Sequence, residues 1–340
     1  LANKLFNQKK QFTIMINIFP LKEIHTPLAD EKSEILEKIE SALKSNGSAN
    51  LNCSIDDADA LIIQEKFSYK NFLYIKRLKN DPIFKKHANK IFTINTDDCA
   101  TGLLKGLYTS LPKKRFDSKR HSIVPFDYFP NELILNTEPK IIPYFLAGWR
   151  GNPVSNKIRN KIIKLFSKEA NFDINSTGSW FNHSFEEKQV YKNCLNRSKF
   201  TLCPSGWAPV TFRIYESMAL ARCPVIIADQ FVPPAGPDWD TFSIFIPEKK
   251  INHLKIILEK KEPLYEELGN RAYQNWEMFF SPSNIYNYCS GQLLKLIQMS
   301  QSLSVESEFR RWDSYQMHSS NNWTIPQRVF NKLNKIMAVF

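Results

Sequence analysis

The chain is 340 residues long, with 43% apolar, 13% aromatic and 24% charged residues, and 46 Lys and Arg against 34 Asp and Glu leave a formal net charge of +12. This length and apolar content fit about two ordinary domains with full cores, while ten glycines without a repeat exclude collagen-like, linker-like and solenoid chains. No stretch reaches the ~18 apolar residues of a spanning helix, so nothing here is expected to insert into a bilayer.

Strands and helices alternate from near the start, which is the signature of α/β layers around parallel sheets. Phe12 to Phe19 is a β-branched run ended by Pro20. Glu31 to Leu43 follows, with Ile35, Leu36, Ile39 and Leu43 at helical spacing and Asn46 and Gly47 as the stop. Ala60 to Gln64 and Ile91 to Asn95 are further short strands. The second series opens with a strand over Ile141 to Ala147, a loop from Gly148 to Pro153 that carries Arg150, and a helix from about Ser155 to Phe166. Strands over 172–175, 200–203, 225–228 and 243–246 then alternate with helices over 185–196 and 212–221. Residues 251–302 read as helical and 303–322 as irregular, and 327–340 form a basic amphipathic helix expected to pack back on the protein. The domains are therefore expected at 1–137, 138–302 and a tail at 303–340.

The basic excess favours an anionic partner: nucleic acid, a membrane surface or a phosphorylated small molecule. The cations are scattered in twos and threes, which equally describes a solvated surface. The six cysteines lack metal-ligand spacing and read as buried, reduced thiols of a cytosolic protein.

The most informative stretch is Ser198 to Glu248. Strand FTLC (Phe200 to Cys203) feeds the turn Pro204, Ser205, Gly206, Trp207. Thr211, Arg213 and Glu216 then open a helix that leads to Cys223, Pro224 and the strand VIIAD. A strand, a glycine turn and a helix N-terminus make an anion site at the carboxyl edge of a sheet. Arg213 and Glu216 lie three apart on one helical face, which also fits a plain intrahelical surface salt bridge.

With Tyr191 and Leu195 ahead of it, the segment SKFTLCPSGW, T-x-R-x-x-E and CPVIIADQFVPP, followed by Asp238, Trp239, Phe242 and Glu248, resembles the exostosin-type glycosyltransferases. YFLAGWRGNPVSNKIRNKI (Tyr144 to Ile162) is similar to that family's entry to its donor domain. The resemblance implies a GT-B architecture, with two Rossmann-like domains facing across a cleft and a nucleotide-sugar held by the second. It also implies an inverting, metal-independent transfer with no cofactor. Arg213 would then pair with the leaving diphosphate and Glu216 would accept from the ribose hydroxyls. Arg150 is the second candidate phosphate ligand, Ser205, Gly206 and Thr211 complete the expected donor-binding set, and Arg159 reads as structural.

An inverting transfer needs a general base. Asp97 and Asp98, after the strand Ile91 to Asn95, are the candidates, with His25 and His121 more distant. Asp97 also fits a helix cap. Two Asp-x-Asp pairs, Asp57 with Asp59 and Asp238 with Asp240, are the residues that a metal-dependent alternative would use.

The expected partners are a nucleotide-sugar donor and a glycan or glycolipid acceptor in surface polysaccharide or lipopolysaccharide assembly, with a peripheral membrane contact open and no nucleic acid. The expected location is cytoplasmic, at the inner membrane face, or the Golgi lumen if an anchor was removed. An α-1,3-fucosyltransferase-like enzyme, a non-catalytic glycosyltransferase partner and a basic nucleic-acid-binding protein are the alternatives.

Overall fold

A computed structural model of the chain describes residues 15–66, 73–98, 100–135, 142–153, 156–179, 183–300 and 303–317. The start of the expected first strand, Cys99, the proposed boundary at 137 and the basic helix over 327–340 lie outside these residues.

Two parallel sheets carry the fold. The first contains β1 (Ile16–Leu21), β2 (Ala49–Asn50), β3 (Ala60–Gln64), β4 (Ile91–Asn95), β5 (Lys105–Tyr108) and β6 (His121–Ile123), in the order β2-β1-β3-β4-β5-β6. The second contains β7 (Phe145–Gly151), β8 (Phe172–Ser176), β9 (Ser198–Pro204), β10 (Cys223–Ile227) and β11 (Ile244–Phe245), in the order β11-β10-β9-β7-β8. Both are doubly wound, and in each the direction of winding reverses between the first and third strands. Every strand pair is parallel. The two-sheet α/β architecture expected from the sequence is thus the observed one.

The helices cover both faces of the sheets. In the first unit they are α1 (Glu34–Ser45), α2 (Tyr74–Asn80) and α3 (Pro82–His87), and in the second α4 (Lys157–Phe166), α5 (Phe185–Asn196), α6 (Arg213–Ala219), α7 (Leu254–Lys261) and α8 (Tyr265–Asn275). Ser33 caps α1 by accepting from the Leu36 amide at 3.2 Å, and the helix buries Ile35, Leu36, Ile39 and Leu43 against Ile16, Ile18 and Ile62. Leu61 and Ile63, the alternate residues of β3, face the other way onto Tyr74, Leu78 and Phe84.

Two helices at the end of the chain depart from the sequence reading. Helix α9 (Ile285–Met299), placed by chain order in the second unit, packs on the first. Its Ile285, Cys289, Leu293, Leu296 and Ile297 form one helical stripe, which buries against α1 and the strands Ile16, Ile94 and Leu107 belong to. Residues 303–317, expected to be irregular, include α10 (Val305–Trp312), capped by Ser304 and anchored by the fully buried Trp312 beside Phe84. The polar composition of that segment reflects one exposed face rather than a lack of structure. Among the described residues no helix is long and apolar enough to cross a membrane.

The entry to the second sheet also differs. Strand β7 continues through Gly148, Trp149 and Arg150 to Gly151, where a loop was expected, with Arg150 in register with Asn175. Gly148 is a packing position: a Cβ there would lie 2.2 Å from the Ser198 hydroxyl oxygen. Trp149 is fully buried.

Candidate active site

Doubly wound sheets present ligands at the carboxyl ends of the strands, where the winding reverses. In the second sheet this point lies between β7 and β9, and the strand ends there lead into Asn152 and into Ser205 and Gly206. A cleft of about 250 Å³ opens at this place. Its walls include Gly151, Gly206, Arg213 and Glu216 from the second unit, and Asp98, Phe126 and Asn131 from the first unit and the segment that leaves it. Two contacts tie that segment across the cleft. Phe126 packs on Phe212 with centroids 4.1 Å apart, and Asn131 donates to the Lys188 carbonyl at 2.9 Å.

Arg213 and Glu216 stand on this wall, both buried, and each is bonded to another residue rather than exposed as a surface pair. Arg213 donates from Nη2 to the Arg150 carbonyl, and its guanidinium carbon lies 5.7 Å from the Trp149 ring centroid and 5.4 Å from that of Tyr191. The protein supplies no acceptor, among the described residues, for its Nε and Nη1. A buried guanidinium with two such groups is suited to an anion. Glu216 accepts from the Tyr191 hydroxyl, and burial raises its pKa, opposed by that hydrogen bond and by the Arg213 charge.

The other expected donor residues divide. Gly206 and Thr211 line the cleft. Arg150 lines it too, within strand β7 rather than in a loop: its Nη2 donates to Asp173 Oδ1 at 2.9 Å, while its Nε has no acceptor among the described residues. Ser205 points away, its hydroxyl donating to Glu248 at 3.3 Å, while its carbonyl accepts from Arg159. Helix α6 contributes less than an open N-terminus would. The amides of Ile214, Tyr215 and Glu216 already donate to the carbonyls of Thr211 and Phe212.

Arg159, read from the sequence as structural, takes a larger place. It stands on the cleft wall and joins the two strand ends, donating from Nη1 to the Asn152 carbonyl and from Nε to the Ser205 carbonyl, both at 3.0 Å. Burial and the nearby Arg213 charge lower its pKa to about 10. Asn156, the cap of α4, adds bonds to the carbonyls of Ser205 and Gly206, both at 3.1 Å. The signal was its position on the helix following β7, one turn in, facing the switch point.

Of the candidate bases, Asp98 lines the cleft and Asp97 does not. Asp98 is exposed on the cleft wall, and desolvation by its surroundings together with the Asp97 charge raises its pKa. His121 is buried, held between the Asp117 amide at 3.0 Å and the Gly102 carbonyl at 3.2 Å, and burial lowers its pKa to about 3. His25 accepts from the Lys22 amide at 2.9 Å outside the cleft. Asp57 and Asp59 are occupied in a turn, accepting from the Ser54 hydroxyl at 2.6 Å and the Asn17 amide at 2.8 Å. Asp238 and Asp240 flank Trp239, which is buried in the core with Nε1 on the Pro234 carbonyl at 2.8 Å. Among the described residues no group of three His, Cys, Asp or Glu side chains is placed to hold a metal ion.

A buried arginine and glutamate thus stand at the switch point of a doubly wound unit, where such sheets present their ligands, with residues of the first unit on the same cleft. Comparison with known proteins finds a family model and relatives that match part of the chain. Residues 116–261 match the family model described as the Exostosin GT47 domain, so this stretch is similar to exostosin-type glycosyltransferases. It is 30% identical over 156 residues to an Arabidopsis thaliana protein named as a probable glucuronoxylan glucuronosyltransferase, across 41% of this chain and 31% of that protein. It is 36% identical over 85 residues to a protein of the same plant named as a probable beta-1,4-xylosyltransferase, across 24% of this chain and 20% of that one. The chain thus spans a third or less of the length of these relatives. A solved glycosyltransferase from Rickettsia africae is similar at a TM-score of 0.38 and 10% identity, covering 81% of this chain and 84% of its own.

Proposed function

We propose that the protein transfers a sugar from a nucleotide-sugar, held in the cleft of the second unit, to a hydroxyl of a glycan or glycolipid acceptor entering from the first. The observation that carries this reading is Arg213: buried on the cleft wall, with two guanidinium nitrogens that the protein itself leaves without acceptors among the described residues. In this role Arg213 neutralises the departing diphosphate, and Glu216 accepts from the ribose hydroxyls. Arg159 holds the two loops that form the floor. Asp98 takes the acceptor proton as the hydroxyl oxygen attacks the anomeric carbon, the nucleoside diphosphate leaves, and the configuration inverts. No divalent cation is required, because the guanidinium supplies the positive charge.

The names of the plant relatives put nucleotide-activated xylose and glucuronate first among donors to test, with polysaccharide assembly at an anionic membrane surface as the setting that accommodates the remaining basic charge. The deciding experiment is a thermal-shift screen of nucleoside diphosphates and nucleotide-sugars on the wild type and Arg213→Ala, with and without excess chelator. The expected result is stabilisation by at least one nucleoside diphosphate, unaffected by chelator and absent from Arg213→Ala. Stabilisation that persists in Arg213→Ala overturns the site assignment, and stabilisation lost to chelator overturns metal independence.

A further inference from the structure

Arg213 and Glu216 lie on adjacent turns of one short helix, and a single side chain from another element touches both. Tyr191 reaches from α5 so that its ring lies 5.4 Å from the Arg213 guanidinium carbon, and its hydroxyl donates to Glu216 Oε2. Trp149 stands at 5.7 Å from the same guanidinium, so two aromatic rings and the Arg150 carbonyl orient the arginine fork. Held in this way, Nε and Nη1 have no acceptor among the described residues. The hydroxyl occupies one Glu216 oxygen and leaves the other to the cleft, whose wall Tyr191, Arg213 and Glu216 form together.

We infer that Tyr191 is the positioning residue of the donor site, its ring setting the anion-binding guanidinium and its hydroxyl setting the carboxylate. The inference rests on the reading of the cleft given above. Two contacts of different kinds make it separable: an aromatic face attracts a guanidinium through its quadrupole, whereas a hydroxyl orients a carboxylate by a charge-assisted hydrogen bond. Tyr191→Phe removes only the second, and Tyr191→Leu removes both. The hydroxyl also favours the ionised form of Glu216, against its burial. The groups facing that carboxylate are Tyr191 from α5 and Arg213 from its own helix.

Titration calorimetry with inorganic pyrophosphate and with the nucleoside diphosphate that stabilises the wild type separates the two contacts. Tyr191→Phe is expected to bind pyrophosphate as the wild type does and the nucleoside diphosphate about 10-fold more weakly, the equivalent of one charged hydrogen bond. Tyr191→Leu is expected to lose affinity for both. In Tyr191→Phe the pH at which nucleoside diphosphate affinity changes moves upward, because the carboxylate loses a donor. Adding Tyr191→Phe to Glu216→Gln is expected to cost nothing further, since both act through the same group.

Equal losses for both ligands in Tyr191→Phe, or wild-type affinities in Tyr191→Phe with an unmoved pH midpoint, overturn the assignment while the donor site stands. If the wild type binds neither pyrophosphate nor any nucleoside diphosphate, the reading of the cleft itself falls. Tyr191→Phe keeps the ring and its packing, so the test holds even where Tyr191→Leu does not fold.

Discussion

The guanidinium of Arg159 occupies the space that a side chain at position 206 would need: a Cβ on Gly206 would lie 2.6 Å from Nη2. The tip of an arginine ordinarily moves aside. Here it is buried and tied to the carbonyls of Asn152 and Ser205, so displacement breaks the bonds that hold the cleft floor. Gly206→Ala is therefore expected to cost about 1–3 kcal/mol of stability and to weaken nucleoside diphosphate binding. Chemical denaturation and the nucleotide-induced thermal shift measure the two effects, and an unchanged shift with unchanged stability would show the floor to be pliable.

A second prediction concerns the attachment of α10. Glu308 is 1% exposed; both its oxygens accept from Arg120, and Arg311 Nε lies 3.7 Å from it. Arg311 and Trp312 also donate to the Leu103 carbonyl, which anchors the helix to the first unit. Glu308→Ala leaves buried guanidinium charge without its counter-ion, at an expected cost of about 3–5 kcal/mol and a fall in Tm of about 10 °C. A thermal melt within a degree or so of the wild type would show that α10 is an appendage rather than part of the first unit's core.

The third prediction follows from Lys105, 1% exposed, with Nζ on the Asn89 carbonyl and over the Phe92 ring at 4.4 Å. Burial lowers its pKa from 10.5 to about 8. Between those values the unfolded chain holds more protons than the native one, so the contribution of Lys105 to stability rises with pH across the window and is flat below about pH 8. At neutral pH the charge is retained at a cost on the order of 3 kcal/mol. Urea unfolding from about pH 7 to about pH 10 should show a wild-type slope that Lys105→Met lacks. Parallel profiles for the two proteins would contradict the buried, depressed ammonium.

Much of the candidate site was legible because its residues are close in the chain. The turn at Gly206, Thr211, Arg213 and Glu216 lie within eleven positions, and a strand, turn and helix of that length permit few placements. Arg150 lines the cleft as expected, but from a strand rather than a loop, because its neighbouring glycines are packing positions. Gly148 and Gly151 look like a loop, but Gly148 is required by the close approach of Ser198 and the strand runs through it, which turns Arg150 towards Asp173. Ser205 and Asp97 were near the right place in the chain with side chains outside the cleft. Tyr191 was visible as part of the family pattern, but its two contacts lie 22 and 25 residues further on, and spacing carries no information at that range.

Length and charge opened on two domains and an anionic partner, and local periodicity determined the alternating elements, since a helix or strand is read from residues a few positions apart. The tertiary structure alone decided that Arg213 is buried on the cleft wall with two unmet donors, that Arg159 joins the cleft's loops and that Arg150 gives one nitrogen to Asp173. It also decided that α9 and α10 close the first unit, although they follow the second. Those outcomes depend on which buried surface or carboxylate lies across a gap in space, and a side chain's nearest partner in space is set by the packing of whole sheets and helices, not by its neighbours in the chain.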